Sequence, residues 1–225
     1  MFPRKSPVKI LASLCGATVL LCGAPALAAT SLNDYVACDK HSLAVIEQPL
    51  FNGLIPTRTE NGFTRPVGGT RSELGRRWMF DKPVILDGVS LTGFYAEDMD
   101  MMGSRLISWG FYTEQTPREL FELLEQHKRT GAADAGGMYA RAEIWSHSQR
   151  AWQPEDPQSN SGKLVIDTAE RVFLIEPAAE DLAKSSPNSR GMLTCSIQGN
   201  VIEPMLVDSR PDLISKARQG LYEKP

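Results

Sequence analysis

The sequence predicts an α+β fold: a mainly antiparallel sheet of about five to seven strands, one principal helix packed on one face, and one disulfide. Three observations carry this expectation. Runs with the strand period outnumber helical ones, and no βαβ alternation repeats. The stretch from Gly88 to His127 holds two β-prone runs, a connection between them and the best-specified helix of the chain. Only Cys38 and Cys195 remain after an N-terminal leader is removed, and two cysteines in an oxidising compartment pair.

The leader is expected over residues 1–28. Arg4, Lys5 and Lys9 precede an apolar run, ILASLCGATVLLCGA, and Ala26-Leu27-Ala28 supplies a small-x-small cleavage site. The apolar run is shorter than the ~20 residues a spanning helix needs, and Leu14 and Leu21 precede Cys15 and Cys22 where a lipid-attachment signal needs a small residue. The expected product is an exported, periplasmic protein with no stable membrane insertion after cleavage. Residues 29–225 fit a single domain. The formal net charge is −3 for the whole chain, and the leader is wholly basic. The mature part is therefore more acidic still, which excludes the charge balance of a nucleic-acid binder.

In chain order, Ser31 or Asn33 can cap a short helix carrying Leu32, Tyr35 and Val36. Residues 49–77 read as a long irregular loop, punctuated by Pro56, Gly62, Pro66, Gly68, Gly69 and Gly75. That loop carries Arg58, Arg65, Arg71, Arg76 and Arg77 against Glu60 and Glu73. Trp78 to Phe80 and Val84 to Leu86 read as two short strands, with Asp81, Pro83 and Asp87-Gly88 as turns. Val89, Leu91 and Phe94 form one arm of the central hairpin; Leu106, Ile107, Trp109 and Phe111 form the other, around a polar connection AEDMDMMGS.

The principal helix is expected over about 116–129. Thr116 and Glu119 have capping-box spacing, Pro117 stands at the first helical position, and Leu120, Leu123, Leu124 and His127 share a stripe. A linker TGAADAGG follows, then a strand at Tyr139 to Ser146, a polar loop to Gly162, and a hairpin of Lys163 to Asp167 with Val172 to Glu176. A last strand, Met192 to Ile197, holds Cys195, and the tail beyond Pro204 is expected to fray.

Catalytic motifs are absent from the sequence. It has no G-x-S-x-G, no Cys-x-x-Cys and no HExxH, and His41, His127 and His147 stand apart. The run Glu97-Asp98-Met99-Asp100-Met101-Met102 has oxygen donors that suit calcium and thioethers that suit copper(I), but it lacks the loop spacing of a calcium site and reads as an acidic hairpin tip. The site expectation is therefore no catalytic residue, no metal and no cofactor. The functional expectation is a protein-binding module, such as an inhibitor or immunity-type protein that meets a secreted hydrolase or toxin. Its partner surface is assigned to Arg58, Arg65, Arg71, Arg76 and Arg77 with Glu97, Asp98 and Asp100, since opposite charges steer a protein partner. Two alternatives stand beside it: a periplasmic hydrolase whose histidine and carboxylates meet only in three dimensions, and an envelope protein that binds a lipid or small ligand.

Overall fold

The computed structural model describes residues 31–60, 62–125, 131–155, 167–179, 186 and 188–214. The leader, His127 and the residues after Ile214 lie outside the described part. Its centre is a meander of three long strands: β4 (Gly75–Leu86), β5 (Val89–Met101) and β6 (Ser104–Thr113). Two tight turns join them. Asp87 and Gly88 both take positive φ, as do Met102 and Gly103, the backbone that a two-residue hairpin turn demands. The expected connection AEDMDMMGS is thus mostly strand, because its alternating side chains let β5 and β6 stay paired from Met101↔Ser104 down to Leu91↔Thr113.

Three further long strands extend the sheet: β8 (Tyr139–Ser146), β10 (Ala169–Pro177) and β11 (Gly191–Gly199). Short strands β3 (Thr70–Arg71), β7 (Ala133–Asp134) and β9 (Ala151–Glu155) edge it. Nine strands run antiparallel in the order β3-β4-β5-β6-β11-β10-β8-β7, with β9 also on β8. A separate hairpin pairs β1 (Thr57–Glu60) with β2 (Phe63–Pro66).

One face of the sheet is the core face. The register aligns Phe94, Phe111, Leu193 and Ile175 in one row and Ala96, Trp109, Cys195 and Phe173 in the next. The chain before the sheet covers this face. Helix α1 (Leu32–Val36) buries Leu32, Tyr35 and Val36, and two 3-10 turns, Ser42–Glu47 and Pro49–Phe51, add Leu43, Val45, Ile46 and Phe51. Ser31 caps α1 in a box with Asp34, and Leu32 N–H donates to Asp87 at 2.9 Å. The aromatic rings interlock: Phe111 lies 5.1 Å from Tyr35, 5.6 Å from Phe51 and 5.0 Å from Phe94. Burying such a ring contributes about 1.5–3 kcal/mol. The expected disulfide is present: Cys38 and Cys195 join this layer to the central strand β11.

Several expectations change. The sheet has nine strands rather than five to seven, and the helix α2 (Pro117–Glu125) is a minor element. Its capping box forms, with Glu119 N–H donating to Thr116 Oγ1 and Thr116 N–H donating to Glu119 Oε2 at 2.7 Å. Leu120 and Leu124 are buried, and the helix packs on β10 and β11. The supposed loop 49–77 holds the β1–β2 hairpin, β3 and the start of β4, hidden because strands of two to four residues show no period. The two short strands expected at 78–80 and 84–86 are one strand with a bulge between Met79 and Val84, which Asp81 and Pro83 accommodate.

β7 lies inside the expected linker and β9 inside the expected polar loop. The arm expected at 163–167 lies outside the described residues except for Asp167, and β10 pairs with β8 and β11. The tail expected to fray instead packs as far as Ile214: helix α3 (Glu203–Val207) and a 3-10 turn, Pro211–Leu213, bury Met205, Leu206 and Leu213.

Candidate functional site

The second face of the sheet carries different residues. Strand alternation places Arg77, Tyr95, Gly110, Thr194 and Leu174 in one row across β4, β5, β6, β11 and β10. Beside it run Gly93, Tyr112, Met192 and Glu176 on one side, and Glu97, Ser108, Ser196 and Val172 on the other. A groove of about 770 Å³ lies over these rows. Arg71, Ser72, Glu73 and Leu74, around the turn from β3 to β4, form part of its wall, and Met79 completes that side.

The floor is a polar network set among rings. Tyr95 and Tyr112 stack with centroids 5.1 Å apart and are almost fully buried. Gly110 makes room for the first of them: a Cβ there would collide with the Leu193 carbonyl and stand 2.6 Å from Tyr95 Cε1. The Thr194 hydroxyl donates to Glu176 Oε1 at 2.6 Å. Its proton thus committed, it accepts from the Tyr95 hydroxyl, also at 2.6 Å. Nearby, Ser108 donates to Glu97 at 2.9 Å. Burial pushes the Glu176 carboxyl above the usual glutamate range; the Thr194 hydrogen bond opposes this, and the charge of Glu97 adds to it. Burial likewise raises Tyr95 well above an ordinary tyrosine, with Glu176 as the next cause. The relay Tyr95–Thr194–Glu176 therefore runs as a line of hydrogen bonds from a buried phenol to a buried carboxyl group.

A second carboxyl pair borders the groove face. Gln198 Nε2 donates to Glu170 at 2.9 Å. Burial raises Glu170, Gln198 partly offsets this, and Glu155 raises it further.

The residues assigned to a partner surface separate into distinct environments. Arg71, Arg77 and Glu97 line the groove. Arg76 donates to the Gly68 and Gly69 carbonyls at 3.2 and 3.3 Å, and Arg58 pairs with Glu60 at 2.7 Å. Arg65 is fully buried. Asp98 takes both nitrogens of an Arg105 fork, with Nε at 2.6 Å, and Asp100 accepts the Gly103 N–H at 3.1 Å. Alternation along β5 sends Glu97 and Met99 to the groove face and Asp98 and Asp100 to the other.

Among the described residues, no group of three or more His, Cys, Asp or Glu side chains is placed to hold a metal ion. His147 Nε2 bonds the Asp167 carbonyl at 2.9 Å, and His41 lies against Phe63; neither lines the groove. Sequence reasoning missed Tyr95, Glu176, Met192, Thr194 and Ser196. The signal was present as alternation in β11, where Leu193, Cys195 and Ile197 interleave with Met192, Thr194, Ser196 and Gln198.

The chain matches no protein-family model, no curated protein and no solved structure.

Proposed function

We propose that this chain is an exported envelope protein that binds a small ligand in the groove over Tyr95, Thr194 and Glu176. One observation carries the reading. Ser108, Thr194 and Ser196 are each nearly buried on the groove face of the central strands, where a sheet packed against a second layer would carry apolar side chains. Such a lining suits a ligand that brings its own hydrogen-bonding groups, while Leu74, Met79, Leu106, Leu174 and Met192 offer apolar contact. Export itself rests on the leader read from the sequence.

A protein partner is the second reading, in which a segment of that partner enters the same groove. Exposed Leu74 and Met79 at the groove wall, with Ile85 further along β4, favour it.

The test uses the oxidised mature protein, incubated with envelope and culture-medium extracts, washed, and measured by native mass spectrometry beside Thr194→Val. A small molecule retained by the wild type and lost from the variant supports the first reading. A retained peptide or protein with the same dependence supports the second. Equal retention by both proteins, or nothing retained by either, counts against the groove as the binding site.

A further inference from the structure

Two polar groups that line the groove have no hydrogen-bond partner among the described residues. One is Glu176 Oε2, since the Thr194 hydroxyl bonds only the other oxygen, Oε1. The second is the hydroxyl of Ser196, a residue only 4% exposed. The register sets their spacing. Glu176 pairs with Met192, and Ser196 follows on the same face of β11, roughly 13 Å further along at the rise of an extended strand. Thr194 and Leu174 form the row between them.

The protons already committed decide what this floor accepts. Thr194 gives its proton to Glu176, and Ser108 gives its own to Glu97. These hydroxyls and the ionised carboxylates therefore offer lone pairs, and a ligand must bring the N–H or O–H groups. Water could satisfy the Ser196 hydroxyl, but it would not neutralise a carboxylate bordered by Met192 and Leu174. Burial and the negative charge of Glu97 both work against ionised Glu176, so a cation relieves it more than a neutral donor does. The groove's arginines stand elsewhere: Arg71 is on β3 and Arg77 on β4, with β5, β6 and β11 between them and Glu176 on β10. The other titratable groups around Glu176 are Tyr95 and Tyr112 on the floor, Glu73 at the far wall and Tyr35 on the core face beneath.

We propose that the groove holds an elongated organic amine, its ammonium group on Glu176 Oε2 and a hydrogen-bonding group at its far end on Ser196, an inference that rests on the small-ligand reading of the groove. The apolar body of such a ligand lies over Leu174 and against Met192.

The experiment titrates 8-aminooctanol, and separately the neutral octanediol of the same length, into the oxidised mature protein, followed by the methyl resonances of Met192 and Thr194. The amine is expected to bind about tenfold to a hundredfold more tightly. That preference should shrink as pH falls and Glu176 takes up its proton, while the amine stays charged throughout, as lysine does. Glu176→Gln keeps an oxygen for the Thr194 hydroxyl and is expected to bind both probes equally. Ser196→Ala is expected to weaken 8-aminooctanol about fivefold and to leave octylamine, which lacks the far hydroxyl, unchanged. Equal binding of the two probes by the wild type, or a preference that survives in Glu176→Gln, overturns the amine assignment and leaves the groove a ligand site. Binding of neither probe overturns it too; the groove itself falls only if the extract experiment shows no retention that depends on Thr194.

Discussion

Removing the Cys38–Cys195 bridge is the perturbation whose size follows most directly from the structure. The bridge closes a sequence separation of 157 residues. In the chain-entropy relation, a loop of that length restrains the unfolded chain by about 5 kcal/mol. A domain's whole stability is about 5–15 kcal/mol, so this single bond accounts for a large share. Compactness of the real unfolded state makes the figure an upper bound, and the expected loss is about 3–5 kcal/mol. The site of the damage is also specified. Cys38 belongs to the N-terminal layer and Cys195 to the central strand β11, between Trp109 and Phe173 in its row. Cutting the bond frees the layer that supplies Leu32, Tyr35, Val36 and Phe51 to the core, while the sheet keeps its ladders.

Urea unfolding of oxidised protein against the Cys38→Ala, Cys195→Ala double variant measures the loss. Amide exchange should show the global loss at the core amides of β5, β6 and β11 and additional local opening over residues 32–55. A loss below about 1 kcal/mol would refute the reasoning, and would mean that the layer is held by its packing alone.

Other outcomes follow from single contacts. Tyr35→Phe removes a buried hydroxyl that lies 3.0 Å from the Trp109 carbonyl and 2.9 Å from that of Leu193, and should cost about 1–2 kcal/mol in the same urea assay. Gly110→Ala places a methyl group against the Leu193 carbonyl and the Tyr95 ring; a loss of about 1–3 kcal/mol is expected, with displaced Tyr95 ring resonances, and unchanged resonances would contradict the close approach. Glu176→Gln tests the raised carboxyl through pH. Because the folded-state pKa lies above the unfolded one, the native state holds more of the proton between the two values, so stability falls as pH rises from the ordinary glutamate range through the folded value and levels off above it. The glutamine variant should therefore gain on the wild type toward neutral pH and match it below the ordinary glutamate range; a gain independent of pH across that window would refute the assignment.

The parts of the fold that were legible in the sequence are those that local chemistry fixes. The Thr116–Glu119 box, the Asp87-Gly88 turn and the Tyr139 to Ser146 alternation each need only neighbouring residues to declare themselves, and each is present. The Cys38–Cys195 pair was legible because only one pairing was available after the leader. Elements whose stability comes from distant partners were not. β1, β3, β7 and β9 hold two to five residues each, and such segments become strands by pairing rather than by propensity. The turn at Pro211–Leu213 is buried because the Arg210–Asp212 fork lets a charged segment enter the interior, an exchange that hydropathy alone reads as a solvated tail.

The groove went unread for a different reason, which also bears on what it does. In β6, the sequence SRLISWGFYT reads as an apolar run because Ile107, Trp109 and Phe111 dominate it, yet Ser108 and Gly110 interrupt them on alternate positions. The same interruption recurs in β11 as Thr194 and Ser196. A strand with one apolar and one polar face ordinarily has its polar face in water. Here Ser108, Thr194 and Ser196 are only 4–6% exposed, so the polar face is covered although it is not apolar. Covering polar groups is unfavourable unless each finds a partner, and the Tyr95–Thr194–Glu176 relay and the Ser108–Glu97 bond meet that requirement for the floor of the groove. A sheet that needed only stability could have filled this face with the valines and leucines of its other side. The satisfied hydroxyls of Ser108 and Thr194 beneath an open groove are instead the arrangement expected where a ligand's own polar groups complete the layer, and they are why the proposed binding reading rests on this face.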